Sequence, residues 1–141
     1  MNKYRYIEGM LLRLRVVGSN ASFRVTRLRN KSTAADAYCV DLVKKHDFEN
    51  YLCGLLVPSD ARAAYFSIRA FNVELATVHD QIKGNAMAGR IRFQWWRDVL
   101  KDIVEGDGEQ ANQQPVAAAL RQHIPEKNLS LHWFERSIDA R

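Results

Sequence analysis

The sequence predicts an all-α fold, a helical bundle behind a basic leader, and three observations carry that prediction. Between residues 60 and 106 apolar side chains return every three or four positions, the repeat of helices that bury one face. No stretch alternates apolar and polar residues as a half-buried strand does, and no internal repeat is evident. The three prolines, Pro58, Pro115 and Pro125, fall at the limits of the helical patterns, where a residue without an N–H is tolerated.

Residues 1–32 stand apart. They hold Lys3, Arg5, Arg13, Arg15, Arg24, Arg27, Arg29 and Lys31 against Glu8 alone, so their net charge is 8 − 1 = +7, and the rest of the chain carries 5 − 7 = −2. The abundance of Arg, the near absence of acid, Ser19 and Ser22, and the apolar Met10, Leu11, Leu12, Leu14, Val16 and Val17 are the marks of a mitochondrial transit peptide. A disordered basic tail, or a helix resting on anionic lipid, is the alternative. No apolar run is long enough for a secretory or membrane-spanning segment, and Arg13 and Arg15 interrupt the best one. A mildly acidic domain behind a basic leader is poor material for a nucleic-acid binder, whose charge belongs on the folded face that meets the phosphates.

The remainder, residues 33–141, has room for one domain, and a composition of 47% apolar and 26% charged residues suits a globular core. Ser32-Thr33 followed by Asp36 forms a capping signal for a helix from Ala34 to about His46. Tyr51 to Val57 is apolar throughout and stops at Pro58; its context favours helix over strand. Ser59 is the expected N-cap of a long helix to about Lys83, with Ala64, Ile68, Phe71, Leu75, Val78 and Ile82 as its buried stripe and Gly84 as its stop. A second long helix is expected from Asn85 to Gly106, antiparallel to the first, with Met87, Ile91, Trp95, Val99 or Leu100, and Ile103 inward. Gly106 to Gln110 is a polar loop, Pro115 opens a helix to Ile124, Pro125 ends it, and Asn128 caps a last helix through Trp133, Phe134 and Ile138.

Cys39 and Cys53 show neither a CxxC nor a disulfide framework, and each is expected as a buried structural thiol. The histidines, His46, His79, His123 and His132, have no metal-site spacing, so no metal ligand, cofactor or catalytic residue is assigned.

Three blocks then carry a resemblance. Ala64 to Ala76 (AYFSIRAFNVELA), Arg92 to Asp98 (RFQWWRD) and Gln114 to Ala117 (QPVA) resemble, in order, the N-terminal half of squalene/phytoene synthase-type proteins. Residues 69–76 and 94–98 are closest in wording to the mitochondrial branch of that family, the complex I assembly factor proteins. The resemblance covers about residues 36–141 and implies the N-terminal half of an isoprenoid synthase-type helical bundle, truncated at Arg141.

The enzymes so resembled hold Mg²⁺ with an aspartate-rich motif on the helix matching residues 64–83, where two carboxylates one turn apart bind the metal that neutralises a departing diphosphate. Matching that motif through Glu74-Leu75-Ala76 places Val73 and Thr77 where the aspartates belong, and neither can bind magnesium. The resemblance to the assembly-factor branch implies, with those carboxylates missing, a non-catalytic assembly factor on the matrix side of the mitochondrial inner membrane. It would bind complex I assembly intermediates and touch the membrane peripherally, without nucleic acid; an isoprenoid transferase acting on prenyl diphosphates is the alternative. Arg69, Asn72, Glu74, Trp95, Trp96 and Arg97 are the candidates for a remnant cavity or a partner-binding surface. Arg69, Arg92 and Arg97 with the Trp pair could also clamp a phosphate or base, although such a pair more often packs helices.

Overall fold

The computed structural model describes residues 33–82 and 85–141; the leader and the Lys83-Gly84 link lie outside the described residues, as do the side chains of His79 and Ile82. The helices are α1 (Ala34–His46), α2 (Phe48–Leu56), α3 (Arg62–Ile82), α4 (Ala86–Glu105), α5 (Pro115–Glu126) and α6 (Leu131–Asp139). A 3₁₀ turn, Glu109–Gln113, lies between α4 and α5, and the described residues contain no strand.

Helix α1 opens on a complete capping box. The Thr33 hydroxyl accepts from the Asp36 N–H at 3.1 Å and the Asp36 carboxylate accepts from the Thr33 N–H at 2.9 Å. Asp36 sits in the first turn and Lys44, Lys45 and His46 in the last, so charge opposes the helix dipole at neither end. Helix α2 lies close against α3 because Gly54 has no side chain: a Cβ there would come within 2.4 Å of the Phe66 ring.

The start of α3 differs from expectation. Pro58 to Ala61 form a turn in which the N–H groups of Ala61 and Arg62 both donate to the Pro58 carbonyl, at 3.0 Å, so the helix begins at Arg62 and Ser59 is not its cap. Arg62 instead turns back on α2, its guanidinium donating to the carbonyls of Leu55 and Val57 at 3.0–3.1 Å. Helix α3 is the central element, packed against α1, α2, α4 and α5. It therefore buries more than a stripe: Phe66, Ser67, Ala70, Val73 and Glu74 are buried besides Ala64, Phe71, Leu75 and Val78.

Asn85 caps α4 by accepting from the Ala88 N–H at 3.2 Å. The inward face of α4 is Gly89, Trp96, Val99 and Leu100. Met87 and Ile91, expected inside, are exposed. Each is two positions from Gly89, and at about 100° per residue two positions carry a side chain about 200° round the helix, to the opposite face. Trp95 is only half-buried at the core margin, while Trp96 beside it is fully buried. Helices α3 and α4 run antiparallel: Phe71 meets Trp96 and Glu74 meets Arg92, two pairs both centred on residue 83 or the bond after it.

Pro115 is the first residue of α5, behind Gln114, whose side chain accepts from the Ala117 N–H at 2.7 Å. The helix continues through Pro125 to Glu126 rather than stopping at Ile124. Its end is a Schellman motif: the Leu129 N–H donates to the Ile124 carbonyl at 2.9 Å and the Asn128 N–H to that of Pro125 at 3.4 Å. Asn128 is left-handed, φ 51°, and so closes α5; the N-cap position of α6 is Ser130. Across α3, α4 and α6 the core is joined edge-to-face by Phe71, Trp96 and Phe134.

Candidate functional site

Cys39, expected as buried, is so, and burial together with the nearby Asp36 and Glu74 carboxylates pushes its thiol up to about 12. Cys53, expected as buried, is exposed, because α2 turns that edge away from α3.

The six candidate residues occupy three adjoining places on the α3–α4 hairpin. Arg69 and Asn72 line a groove of about 420 Å³ with His46, Asp47, Val73, Ala76, Thr77, Asp80 and Arg141. Arg69 forms an ion pair with Asp47. Burial of Asp47 would raise its pKa, but the hydrogen bonds from Arg69 and Asn50 and the Arg69 charge outweigh this and hold the carboxyl below its ordinary value. Asn72 also borders a smaller apolar cavity of about 160 Å³ between α3 and α6, lined by Ile68, Phe71, Leu129, Trp133 and Phe134.

Glu74, Trp95 and Trp96 come together through Arg92. The Arg92 guanidinium is 3.4 Å from the buried Glu74 carboxylate and lies 4.8 Å from the Trp95 ring centroid and 5.9 Å from that of Trp96. The two indoles meet edge-on at 4.9 Å. Arg97 belongs to a third place, an exposed pair with Asp139 at 2.7 Å beside a groove of about 490 Å³ between α4 and α6.

The residues present do not suit a magnesium–diphosphate site. Val73 is buried and apolar, and the Thr77 hydroxyl donates to the carbonyls of Val73 and Glu74, at 3.0 and 3.2 Å. Helix α3 holds two carboxylates, Glu74 and Asp80, six residues apart and so about 120° apart round the helix, whereas a shared ion needs them about one turn apart. Glu74 is already engaged by Arg92. Among the described residues no group of three or more His, Cys, Asp or Glu side chains is placed to hold a metal.

A polar pair that the sequence alone does not reveal joins α1 and α5. His123 of α5 meets Asp36 of α1 through Nε2 at 2.8 Å, and both side chains are buried. Burial by itself raises the Asp36 pKa, but the Thr33 N–H and hydroxyl and the His123 ring together hold it below the ordinary carboxylate value. The capping signal placed Asp36, but nothing local in the sequence pairs residues 87 positions apart.

An all-α bundle with these blocks on α3, on α4 and at the start of α5 is a defined class: the chain matches the squalene/phytoene synthase family over residues 43–141 and belongs to it. Within that family it is similar to proteins named NADH dehydrogenase (ubiquinone) complex I, assembly factor 6. It is 39% identical over 106 residues to the human protein and 37% over 110 residues to the bovine one, covering 75% and 78% of this chain. The Drosophila melanogaster homolog is 33% identical over 106 residues. The chain spans about a third of the length of these relatives, 31% of the human and 32% of the bovine and fly proteins. No solved structure gives a significant match.

Proposed function

We propose that the chain is a non-catalytic assembly factor for mitochondrial respiratory complex I, imported through residues 1–32 and acting peripherally on the matrix side of the inner membrane. The observation that carries this is the identity of 31–39% to proteins named as assembly factor 6 of complex I. The carboxylate spacing on α3 supports the non-catalytic part, since Glu74 and Asp80 cannot share one metal. Residues 33–141 are the N-terminal part of a squalene/phytoene synthase-like helical domain. The groove at Arg69 and Asn72 and the exposed Arg97 are its docking surfaces for an assembly intermediate, with Glu74, Trp95 and Trp96 fixing the hairpin behind them.

The test is expression of the tagged chain in cells lacking their own copy, with import confirmed and complex I followed on native gels. Restored complex I is expected. Normal complex I in the cells before rescue would sink the proposal. Family membership also motivates a prenyl transferase, and magnesium-dependent turnover of farnesyl or geranylgeranyl diphosphate by the purified chain would establish that reading instead.

A further inference from the structure

A helix seated on a core normally turns its apolar side inward. Helix α2 does the opposite. With Gly54 as the point of contact against Phe66, helical geometry places Leu55, Phe48, Leu52 and Leu56 at about 100°, 120°, 160° and 200° from it, one continuous outward stripe. Their exposures are 46%, 55%, 49% and 88%. Tyr51 and Asn50, the more polar residues, are turned toward the protein, where the Tyr65 hydroxyl donates to the Asn50 carbonyl at 3.0 Å.

We propose that α2 is a membrane-contact element that lies flat on an anionic bilayer with Phe48, Leu52, Leu55 and Leu56 among the acyl chains. The inference rests on the peripheral-membrane part of the function proposed above and names the surface responsible. Nine residues are far too few to span a bilayer, and no described helix is long and apolar enough to do so. Lipid is favoured over a protein partner by two features. One is the charge beside the stripe. Lys44 and Lys45 are exposed in the last turn of α1, and Lys44 lies over the Tyr51 ring at 5.7 Å, with Phe48 stacked on the same ring at 5.9 Å. From residue 44 to 56 the acids are Asp47, paired with Arg69, and Glu49, so the unpaired charge is 2 − 1 = +1. Long lysine stems can rest on the apolar surface while their ammonium groups reach phosphates.

The other feature is the C-terminal end of α2. Helix ends leave carbonyls without partners, which is costly in a medium without water. Here Arg62 donates to the Leu55 carbonyl and, just past the helix, to that of Val57, and the Val57 N–H donates to that of Gly54, so two of the last four carbonyls of α2 have partners within the protein. Met87 and Ile91, exposed on α4, form only a two-residue patch among Arg90 and Gln94, and they serve as the control.

The test is flotation of the purified full chain with vesicles of phosphatidylcholine, with or without phosphatidylglycerol, alongside an environment-sensitive maleimide on Cys53 at the edge of the stripe. Binding to the anionic vesicles with a blue-shifted probe is expected. Leu52→Gln with Leu56→Gln should lower partitioning about tenfold without lowering Tm, and Met87→Gln with Ile91→Gln should leave it unchanged. Lys44→Glu with Lys45→Glu should weaken the preference for the anionic vesicles, leaving the share owed to the basic residues 1–32. Wild-type binding that the α2 leucine variant retains would overturn the assignment of α2 while leaving peripheral association standing. No wild-type binding to either vesicle would overturn both. Self-association without lipid that the same leucine variant abolishes would give the face to a second copy and overturn the proposal.

Discussion

At the scale of single residues, Asp36 does two jobs with two oxygens. One accepts from the Thr33 N–H and hydroxyl, and the other meets His123 Nε2, so the first turn of α1 is tied to the last turns of α5. Its carboxyl titrates lower in the folded chain than in the unfolded one, so the stability it contributes is complete above the unfolded carboxylate value, about 3.9, and is lost as pH falls through the folded value. Denaturant titrations at stepped pH should show stability falling as pH drops below about 4, and Asp36→Asn should flatten that fall. His123→Ala leaves a buried carboxylate with one set of partners and should cost about 2–4 kcal/mol near neutral pH in the same titrations. The two thiols should separate as sharply. Cys53 is exposed while Cys39 is buried with its pKa pushed up to about 12, so a thiol reagent at mildly alkaline pH should take up one equivalent quickly and a second only on unfolding.

At the scale of elements, what the sequence revealed depended on how local the signal was. The Thr33–Asp36 capping box, the start of α4 beside Asn85 and Pro115 at the first helical position are settled within four residues, and each stands where the sequence placed it. The facing of α4 is not local. Only one of the two adjacent tryptophans can face the core; Trp96 does, against Phe71, and that facing carries Met87 and Ile91 outward. Asn128 shows a different limit, because asparagine favours both N-caps and left-handed turns, and the carbonyls left free at the end of α5 decide between them. Asn128→Gly should therefore keep or slightly raise stability, whereas Asn128→Val, a branched residue at φ 51°, should lower it by about 1–2 kcal/mol in thermal or urea unfolding. Gly54→Ala tests the seating of α2, since its Cβ would meet the buried Phe66 ring. It should destabilise by about 1–3 kcal/mol and speed amide exchange along α2 relative to α5.

At the scale of the whole molecule, the α3–α4 hairpin carries the family's fold with side chains on α3 that do not suit a shared metal ion. The sequence alone showed Val73 and Thr77, on either side of Glu74, to be wrongly typed for a shared ion. It did not show how their places are used: Thr77 bonds its own backbone, Glu74 holds Arg92 against the Trp pair, and Asp80 borders the groove that Arg69 and Asp47 bridge. Those pairings join residues 18 to 22 positions apart and become visible only once the helices are packed. Their consequence can be measured without knowing any partner. A divalent ion that binds the folded chain at a site of about 0.1 mM affinity would, at about 10 mM, add about 2.7 kcal/mol, several degrees in the Tm of a domain this size. The expected outcome is an unchanged Tm for the purified chain in magnesium and in chelator, with and without farnesyl diphosphate. A magnesium-dependent rise that Asp80→Asn abolishes would place a working metal site in the groove and reverse the reading of α3 as a helix that has exchanged metal binding for packing.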